Sequence, residues 1–489
     1  MYGNFTPDRT SKGYDSVVNF DVSLDGKHQP FYSLRSRLLL STFAAVTVAL
    51  FLWLIKVQPH YYIDEIFHVP QTLRFCDGRF FEWDQKITTF PGLYLMAIAI
   101  LAPFGLCDID FFRGINLMGT FSNFYVIYEI VKIVSTTKKN SSQNAKWTAL
   151  ITSLNIALLP PLYFLLFLFY TDVMSTNMVL LMYLFHLRGN SKTSAFMGIL
   201  AVLFRQTNIV WLAWISLEKG LDILDKVKSE KAQKIPMTSI LNHLLQLLLE
   251  NVKEAIKRGR FSTLIKELLF ALFPYVLIVL GFITFVVWNG GIVLGDRNAH
   301  VATIHIPQLF YCSVFICFFA WPFFLPHLVD YLRLLKKRWF YAILTFTLMA
   351  LIVRFNTLVH PYLLADNRHY TFYVWNKIIG RYYPARFLFI PFYGFCLYAA
   401  WRGISHLRFL SQVGYFLSVF VVIVPQLLLE PRYFFIPYIL WRIDLRNTKP
   451  WQIIAEFLTI LLVNVFQFYV FSKKVFYWDD DEHPQRISW

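Results

Sequence analysis

Residues 38–55 read LLLSTFAAVTVALFLWLI, a stretch without a charged side chain. A helix of about 20 apolar residues spans the hydrocarbon core of a bilayer. Similarly apolar runs extend over Leu268–Trp288, Leu309–Leu325, Phe409–Leu429 and Ile453–Phe471. A membrane-spanning sheet would alternate apolar and polar residues, and these runs do not. The sequence therefore predicts an all-α polytopic membrane protein.

The composition agrees with this class. Of the 489 residues 57% are hydrophobic and only 16% are charged, whereas about a quarter of the residues in a soluble protein are charged. The net charge of +16 is typical of basic cytoplasmic loops, where Lys and Arg accumulate, and we expect no nucleic-acid partner. We expect roughly eleven to thirteen spans of about 20 residues each.

The positive-inside rule gives each segment a side of the membrane. The polar segment 1–36 is expected to be a cytosolic tail, the segment 37–472 to be the transmembrane domain, and the basic segment 473–489 to be a second cytosolic tail. The segment 218–266 is expected to be a long cytosolic loop, with an amphipathic helix near 241–249 on the membrane surface. Shorter basic segments, 188–192, 330–338 and 402–408, should share that side. The lumenal loops would then be 57–91, 289–306, 355–386 and 430–450.

One assignment of side stays open. The apolar runs 93–104 and 111–134 separate the first lumenal loop from a basic segment at 136–147. Two full spans would leave that basic segment lumenal, whereas a re-entrant first run would leave it cytosolic. Asn140 lies in a glycosylation sequon, so a glycan there would indicate the lumen.

Two further features are relevant to the site. The run 195–217 is too short for two full spans and is interrupted by Arg205, so it is expected to form a re-entrant hairpin with a polar tip facing the lumen. The five cysteines have no spacing from which a metal site or a disulfide framework can be read.

The first lumenal loop carries the most reactive side chains. Asp64 and Glu65 lie just after the first span, with His68 and Trp83 further along. A partly desolvated carboxylate beside an apolar surface suits general-base catalysis. The two carboxylates cannot both face one atom from a helix, so we expect one to be catalytic and the other structural. Trp83 suits stacking on a sugar.

The later lumenal loops contribute positive charge. Arg297, Arg368 and Arg432 could hold a phosphate group, because the guanidinium group donates parallel hydrogen bonds. Arg205 is a further candidate, since a charge within an apolar run usually faces a cavity. Metal-ligand spacing is absent, so we expect no metal. The other polar candidates in these loops are His300, His305, Asp366, Asn367, His369 and Tyr433.

The sequence closely resembles one enzyme family in six stretches that follow the family's order. They are YIDEIFHVPQ (62–71), WDQKITTFPGLY (83–94), FRQTNIVW (204–211), GDRNAHVATIHIPQLFY (295–311), HPYLLADNRHYTFYVW (360–375) and EPRYFFIPY (430–438). The family comprises the endoplasmic-reticulum alpha-1,2-glucosyltransferases that use dolichyl phosphate glucose and add the terminal glucose of the lipid-linked oligosaccharide.

The resemblance implies a GT-C type glycosyltransferase bundle, with lumenal loops forming the active site, in the endoplasmic-reticulum membrane. It implies dolichyl phosphate glucose as donor, Glc2Man9GlcNAc2-PP-dolichol as acceptor and no cofactor. The reaction would invert the anomeric configuration in a single displacement. Asp64 is the expected base, with Glu65 as second choice.

The remaining roles are expected from what a single displacement needs and from the chemistry of the side chains. Arg368, His369 and Arg432 are expected to bind the donor phosphate, followed by Arg297 and Arg205. Sugar and acceptor contacts are expected from His68, Trp83, His300, His305, Asp366, Asn367, Trp375 and Tyr433.

Three rival classes remain open. A transporter or lipid scramblase would favour repeated halves and charges within several spans, and no repeat is visible here. A non-catalytic subunit that modulates a channel is the second rival. A GT-C mannosyltransferase is the third, and only the stretch at 360–375 argues against it, by resemblance.

Overall fold

A computed structural model describes residues 34–136, 143–225, 261–295, 302–479 and 481–489, and single positions 253, 256, 257 and 259. The contacts divide the chain into two compact units, 1–49 and 50–489. The described part of the first unit is the beginning of the first helix. All side chains discussed below belong to the second unit. The predicted amphipathic helix near 241–249 lies outside the described residues.

The described chain is almost entirely helical. In chain order the helices are α1 (Leu34–Val57), α2 (Glu65–Cys76), α3 (Gly92–Leu101), α4 (Ile109–Thr136), α5 (Gln143–Ala157), α6 (Pro160–Leu165), α7 (Thr171–Leu187), α8 (Ser191–Phe204), α9 (Asn208–Asp225), α10 (Phe261–Asn289), α11 (Pro307–Phe319), α12 (Trp321–Phe324), α13 (Leu328–Lys337), α14 (Trp339–Asn356), α15 (Pro361–Ala365), α16 (Tyr370–Val374), α17 (Ala385–Leu388), α18 (Ile390–Gly403), α19 (Phe409–Ile423), α20 (Phe435–Asp444) and α21 (Pro450–Lys473). Short turns of 3-10 helix cover Ala102–Phe104, Leu325–His327 and Pro431–Phe434, and one turn of π-helix covers Trp375–Ile379. Two strands, β1 (Val475–Trp478) and β2 (Asp481–Arg486), form an antiparallel hairpin.

The all-α polytopic architecture is confirmed. Five described helices are long and apolar enough to cross a membrane, namely α1, α4, α10, α14 and α21. A sixth candidate is the pair Pro307–Phe319 and Trp321–Lys337, which is bent by 98°. Other apolar helices, such as α8 and α19, are shorter. The larger predicted number of spans stays a prediction.

Burial distinguishes the centre of the bundle from its periphery. Nearly every side chain of α7 is buried, and an apolar helix buried on all sides lies within a core. By contrast, α10 exposes large apolar side chains, including Phe270, Val287 and Trp288. Exposed apolar surface on a spanning helix is the surface expected to contact lipid.

The two ends of α7 mark the two ends of the bundle. Asp172 begins the helix beside the predicted lumenal loops, and Tyr183 follows about 17 Å further along the axis. The Tyr183 hydroxyl lies 3.4 Å from Asp444 Oδ1. Residue 444 therefore lies away from the lumenal loops. The prediction of one lumenal loop over 430–450 is wrong for its second part, because the buried helix α20 carries the chain away from them.

A disulfide between Cys76 and Cys107 corrects the expectation that no pairing can be read from the cysteines. Both residues must lie on one side of the membrane. The intervening α3 has 10 residues, about 15 Å, which is too short to cross a hydrocarbon core of about 30 Å. Of the two alternatives for residues 93–104, the structure favours the re-entrant one. The 28-residue α4 then crosses to the opposite side.

Glycine allows this re-entrant segment to reach the bundle. A Cβ added at Gly92 would collide with the backbone carbonyl of Leu203 near the end of α8. Only a residue without a side chain permits such a close approach of two backbones. The start of α3 is thereby held against α8, at a position two residues before Arg205.

The C-terminal segment corrects the predicted topology. The Tyr62 hydroxyl lies 3.0 Å from Ser488 Oγ and 3.0 Å from the carbonyl of Arg486. The segment 473–489 therefore lies on the same side as the loop 57–91, and its prediction as a cytosolic tail opposite that loop is wrong. Lys473 and Lys474 favoured the cytosol, but the positive-inside rule describes an average bias and does not bind each segment.

Candidate active site

Asp64 and Arg432 are in direct contact. Asp64 lies immediately before α2, and 30% of its side chain is exposed. Its Oδ2 accepts a hydrogen bond of 2.7 Å from Arg432 Nη1, across 368 positions of sequence. The Nε and Nη2 atoms of Arg432 each lie 2.7 Å from Glu430 Oε2. The fold thus brings the carboxylate of Asp64, in the first loop, and the guanidinium of Arg432 into one cluster.

Glu65, by contrast, is enclosed. Its side chain is 0% exposed and forms a two-pronged ion pair with Arg113, at 2.9 and 2.6 Å. Its two oxygens also accept the backbone N–H groups of Phe169 and Tyr62. Removing one partner from a buried ion pair typically costs about 3–5 kcal/mol. These contacts support a structural role for Glu65 and leave Asp64 as the accessible carboxylate.

The backbone bends sharply just before Asp64. Ile63 has φ +49°, in the left-handed region that a β-branched residue rarely adopts. The bend is held on both sides, because the Asp64 N–H donates to the Tyr170 hydroxyl and that hydroxyl lies 3.3 Å from the Tyr62 carbonyl. Strain of this kind, of about 1–3 kcal/mol, clusters at functional sites.

Burial and charge have opposite effects on the pKa of Asp64. Burial alone would raise the pKa of the Asp64 carboxyl, but electrostatic interactions, led by the charge of Arg432, outweigh burial and lower it. Burial lowers the pKa of His68 to about 4, so its imidazole is neutral at pH 7. The His68 Nδ1 atom lies 2.6 Å from the Tyr94 hydroxyl of α3. At neutral pH the cluster therefore holds an ionised Asp64 beside a neutral imidazole.

A second ion pair joins Arg205 to Asp172. Arg205 lies at the break between α8 and α9, as the sequence predicted, and its Nη1 donates to Asp172 Oδ1. Asp172 is buried in the first turn of α7, and its Oδ2 has no partner among the described residues. Burial is the largest cause of the lowered pKa of His68; Arg205 lowers this pKa further, whereas Asp172 raises it. They also contribute to the pKa of Tyr433, which burial raises. His68 and Tyr433 are therefore electrostatic links between the ion pair of Arg205 with Asp172 and the ion pair of Arg432 with Asp64.

Arg368 uses most of its donors within the protein. Its Nε and Nη2 donate to the two carboxylate oxygens of Asp366, at 2.9 and 2.8 Å. Its Nη1 lies 3.3 Å from Gln485 Oε1, and the guanidinium carbon lies 4.6 Å from the ring centre of Trp478. Such an arrangement holds the loop in place and leaves few N–H groups for a ligand.

The neighbours of Arg368 also contact the C-terminal segment. His369 Nδ1 lies 2.9 Å from the carbonyl of Trp489, and its charge is one of those that lower the pKa of Asp64. The Asn367 side chain accepts a 3.1 Å hydrogen bond from Trp478 Nε1. His369 is therefore close to the acid, whereas Asn367 is engaged with the hairpin.

Trp83 lies in the wall of a cavity of about 340 Å³ on the first loop. Its Nε1 donates to the Ile87 carbonyl at 3.2 Å, and its ring centre is 5.8 Å from that of Tyr94. The wall is predominantly apolar, formed by Phe75, Phe80, Trp83, Pro91, Leu95 and Leu294. Tyr94 connects this wall to His68.

Two predicted sugar contacts are engaged elsewhere. His305 is buried, and its Nε2 accepts the N–H of Leu358 at 3.3 Å. Trp375 is also buried, and the guanidinium of Arg386 lies 5.0 Å from its ring centre. Neither has a described contact with Asp64 or Arg432, so the geometry does not bring them into the cluster.

Arg297 and His300 lie outside the described residues. Within the described ranges no group of three or more His, Cys, Asp or Glu side chains could hold a metal ion. The expectation that no metal takes part stays a prediction.

Sequence reasoning missed several residues of this region. Asp172 and Arg113 are charges at or near the start of apolar helices, and such charges usually mark a pathway or a buried pair. That signal was available in the sequence. Tyr62 and Ser488 had no signal, because their contact joins positions 426 residues apart.

Comparisons with known proteins identify relatives over most of the chain. A family model described as the DIE2/ALG10 family matches residues 58–443. A Rattus norvegicus protein named Dol-P-Glc:Glc(2)Man(9)GlcNAc(2)-PP-Dol alpha-1,2-glucosyltransferase is 37% identical, over 88% of this chain and 93% of its own length. A Drosophila melanogaster protein of that name is also 37% identical, over 88% and 94%. One from Arabidopsis thaliana is 31% identical, over 91% and 99%.

No solved structure matches the chain. The family match includes the loops that hold Asp64, Asp172, Arg205, Arg368 and Arg432. It extends over most of the sequence and ends before the C-terminal hairpin. The chain belongs to the DIE2/ALG10 family.

Proposed function

We propose that this protein transfers glucose in α-1,2 linkage from dolichyl phosphate glucose to Glc2Man9GlcNAc2-PP-dolichol. The relatives that share 37% identity over 88% of the chain carry this activity in their names. The observation that supports it most is the contact between Asp64 and Arg432, an ionised acid and a phosphate-binding side chain in one accessible cluster. The transfer would complete the oligosaccharide precursor for protein N-glycosylation.

Asp64 is the proposed general base of an inverting single displacement. The base must accept the proton of the acceptor hydroxyl as that oxygen attacks the donor sugar. Asp64 Oδ2 bonds to Arg432, and among the described residues no group donates to Oδ1. One oxygen therefore remains for the acceptor hydroxyl. Glu65 lacks such an opening, because both of its oxygens are occupied.

Arg432 and Arg205 are the proposed partners of the donor phosphate. A guanidinium has five N–H donors. Arg432 uses three toward Asp64 and Glu430, so one N–H on each terminal nitrogen remains. Arg205 uses only Nη1. Arg368, first in the expectation from sequence, also keeps one N–H on each terminal nitrogen and stays a candidate, but it has no described hydrogen bond to Asp64.

Donor binding would also change Asp64. In the ligand-free protein Arg432 stabilises the Asp64 carboxylate and makes it a weak base. The phosphodiester monoanion of the donor beside Arg432 would share that positive charge and raise the proton affinity of Asp64. The base would therefore gain strength when donor is present.

The active site is proposed to face the lumen of the endoplasmic reticulum, on a GT-C type bundle. The Cys76–Cys107 disulfide supports an oxidising compartment for this end of the molecule. A transporter or scramblase would instead need its charged groups near the middle of the bilayer. Here Asp64, Arg205 and Arg432 lie at the ends of helices or in loops.

The test is transfer of labelled glucose from dolichyl phosphate glucose to the diglucosylated acceptor lipid by purified protein. Asp64→Asn should lower turnover by at least about 100-fold, the usual contribution of a general base, while keeping the thermal unfolding midpoint. Glu65→Gln should lower the midpoint, because it removes one charge from a buried ion pair.

Asp77→Asn is the matched control, since Asp77 is an exposed carboxylate on the same loop. It should keep wild-type turnover. Wild-type turnover in Asp64→Asn would contradict the assignment of the base. A wild-type protein that moves no label would contradict the proposed function itself.

A further inference from the structure

Ser488 contacts two segments near the candidate active site, the first loop at Tyr62 and residues 368–370. Its Oγ lies 3.0 Å from the Tyr62 hydroxyl, two positions before Asp64. Its N–H donates to the Arg368 carbonyl at 2.8 Å, and its own carbonyl accepts the Tyr370 N–H at 3.1 Å. These two residues flank His369. Ser488 therefore joins the first loop to residues 368–370.

Residues 485–489, which we call the terminal strap, are fixed at several further points. Arg486 is largely buried and donates to the carbonyls of Phe471 and Val57, at 2.8 and 3.2 Å. The ring of Trp489 lies 5.0 Å from that of Tyr370 and 6.3 Å from that of Phe319. The strap is thus part of the packed structure on the side that carries the site.

The strap reaches Asp64 through Tyr62. A phenol has one proton to donate, and the Arg486 carbonyl lies 3.0 Å away to accept it, so the Ser488 hydroxyl donates to Tyr62. The Tyr62 N–H donates to Glu65 Oε2. Because Ile63 is already in a strained conformation, any shift of Tyr62 would be passed to Asp64.

The strap reaches His369 directly. The Trp489 carbonyl lies 2.9 Å from His369 Nδ1. A hydrogen bond at Nδ1 decides which ring nitrogen is left for other partners. The strap therefore sets the position of the His369 imidazole and the ring nitrogen that carries the proton in its neutral form.

We propose that the terminal strap positions Asp64 and His369 relative to each other during transfer, with Ser488 as the positioning residue between Tyr62 and residues 368–370. This rests on the proposed function. The Ser488 hydroxyl has its described contact with Tyr62 alone, whereas the backbone of Ser488 makes the hydrogen bonds to Arg368 and Tyr370. Loss of the hydroxyl should therefore disturb Asp64 without releasing the strap.

The experiment compares Ser488→Ala with the wild type in the transfer assay. Loss of one buried hydrogen bond to a positioning group should lower kcat about three- to tenfold, with both KM values and the thermal unfolding midpoint unchanged. Ser488→Thr keeps the hydroxyl and should restore kcat. Ser405→Ala is the matched control, because the exposed Ser405 hydroxyl bonds only to the carbonyl of Arg402.

A double-mutant cycle separates positioning from general stability. If Ser488 acts through Tyr62, the combination of Ser488→Ala with Tyr62→Phe should lose no more kcat than the larger single variant. Wild-type kcat in a folded Ser488→Ala, or a double variant whose loss is the product of the single losses, overturns the proposal. A wild-type protein without transferase activity overturns the proposed function and this proposal with it.

Discussion

At the scale of single residues, the candidate site is organised by ion pairs. Arg432 faces Asp64 and Glu430, Arg205 faces Asp172, and Arg368 faces Asp366. Each arginine is thereby balanced before any substrate arrives. A carboxylate partner keeps the guanidinium oriented, because the planar group bonds in a defined direction. Arg432, which contacts Asp64, and Arg205, which uses a single donor, are those best placed to accept a phosphate.

His68 should make the stability of the protein depend on pH. Its pKa is about 4 in the folded protein, because burial lowers it from 6.5. Between those pH values the unfolded chain binds the extra proton, so stability falls as pH falls. From pH 7 to pH 5 the loss should be about 2 kcal/mol. The measurement is the thermal unfolding midpoint of detergent-purified protein across this range.

His68→Gln should show a flatter dependence on pH than the wild type. The exposed His483 provides the control, and His483→Gln should keep the wild-type slope. Asp64 does not confuse the comparison, since its pKa is lowered and its carboxylate stays ionised throughout the range. Equal slopes for the wild type and His68→Gln would show that His68 is not the group that titrates.

At the scale of elements, the segment from α2 to α4 is a covalently closed hairpin. The disulfide joins Cys76 to Cys107, 31 positions apart, and the hairpin places Tyr94 against His68. Closing a loop of this length should stabilise the folded state by about 3–4 kcal/mol. Reducing the disulfide should therefore loosen the packing of Tyr94 against His68.

We expect the double variant Cys76→Ser with Cys107→Ser to unfold at a lower temperature than the oxidised wild type. Dithiothreitol should lower the wild-type midpoint to that of the variant and leave the variant unchanged, which makes each protein the control of the other. The remaining described cysteines are buried and free. A wild-type midpoint that dithiothreitol does not move would contradict a stabilising role for this disulfide.

At the scale of the whole molecule, the structure changes the topology. The hairpin at 475–486 shares a side with the first loop, and the exposed helix α13 was predicted to be cytosolic. In sealed microsomes, a membrane-impermeant maleimide should label Arg333→Cys but not Glu482→Cys. After the vesicles are permeabilised, both should react. Labelling of Glu482→Cys in sealed vesicles would contradict the shared side of the hairpin and the lumenal loop.

The membrane architecture and the meeting of Asp64 with Arg432 could be predicted from sequence, because apolar runs and loop charges are local features. The sequence placed Asp64 before Glu65 as the expected base, but the enclosure of Glu65 could not be predicted, since it depends on Arg113, 48 positions away. The contact of Arg368 with Gln485 could not be predicted either, because it spans 117 positions. Lys473 and Lys474 suggested the wrong side for the tail, because the contacts of Ser488 leave no local pattern.

The contact between Tyr62 and Ser488 also has a consequence for biosynthesis. The ribosome must add 426 residues after Tyr62 before Ser488 exists, which takes roughly 20 to 90 seconds at usual elongation rates. Throughout that interval the nascent chain has its first loop but lacks the partner that steadies it. An enzyme built this way stays catalytically immature until the ribosome has passed Ser488.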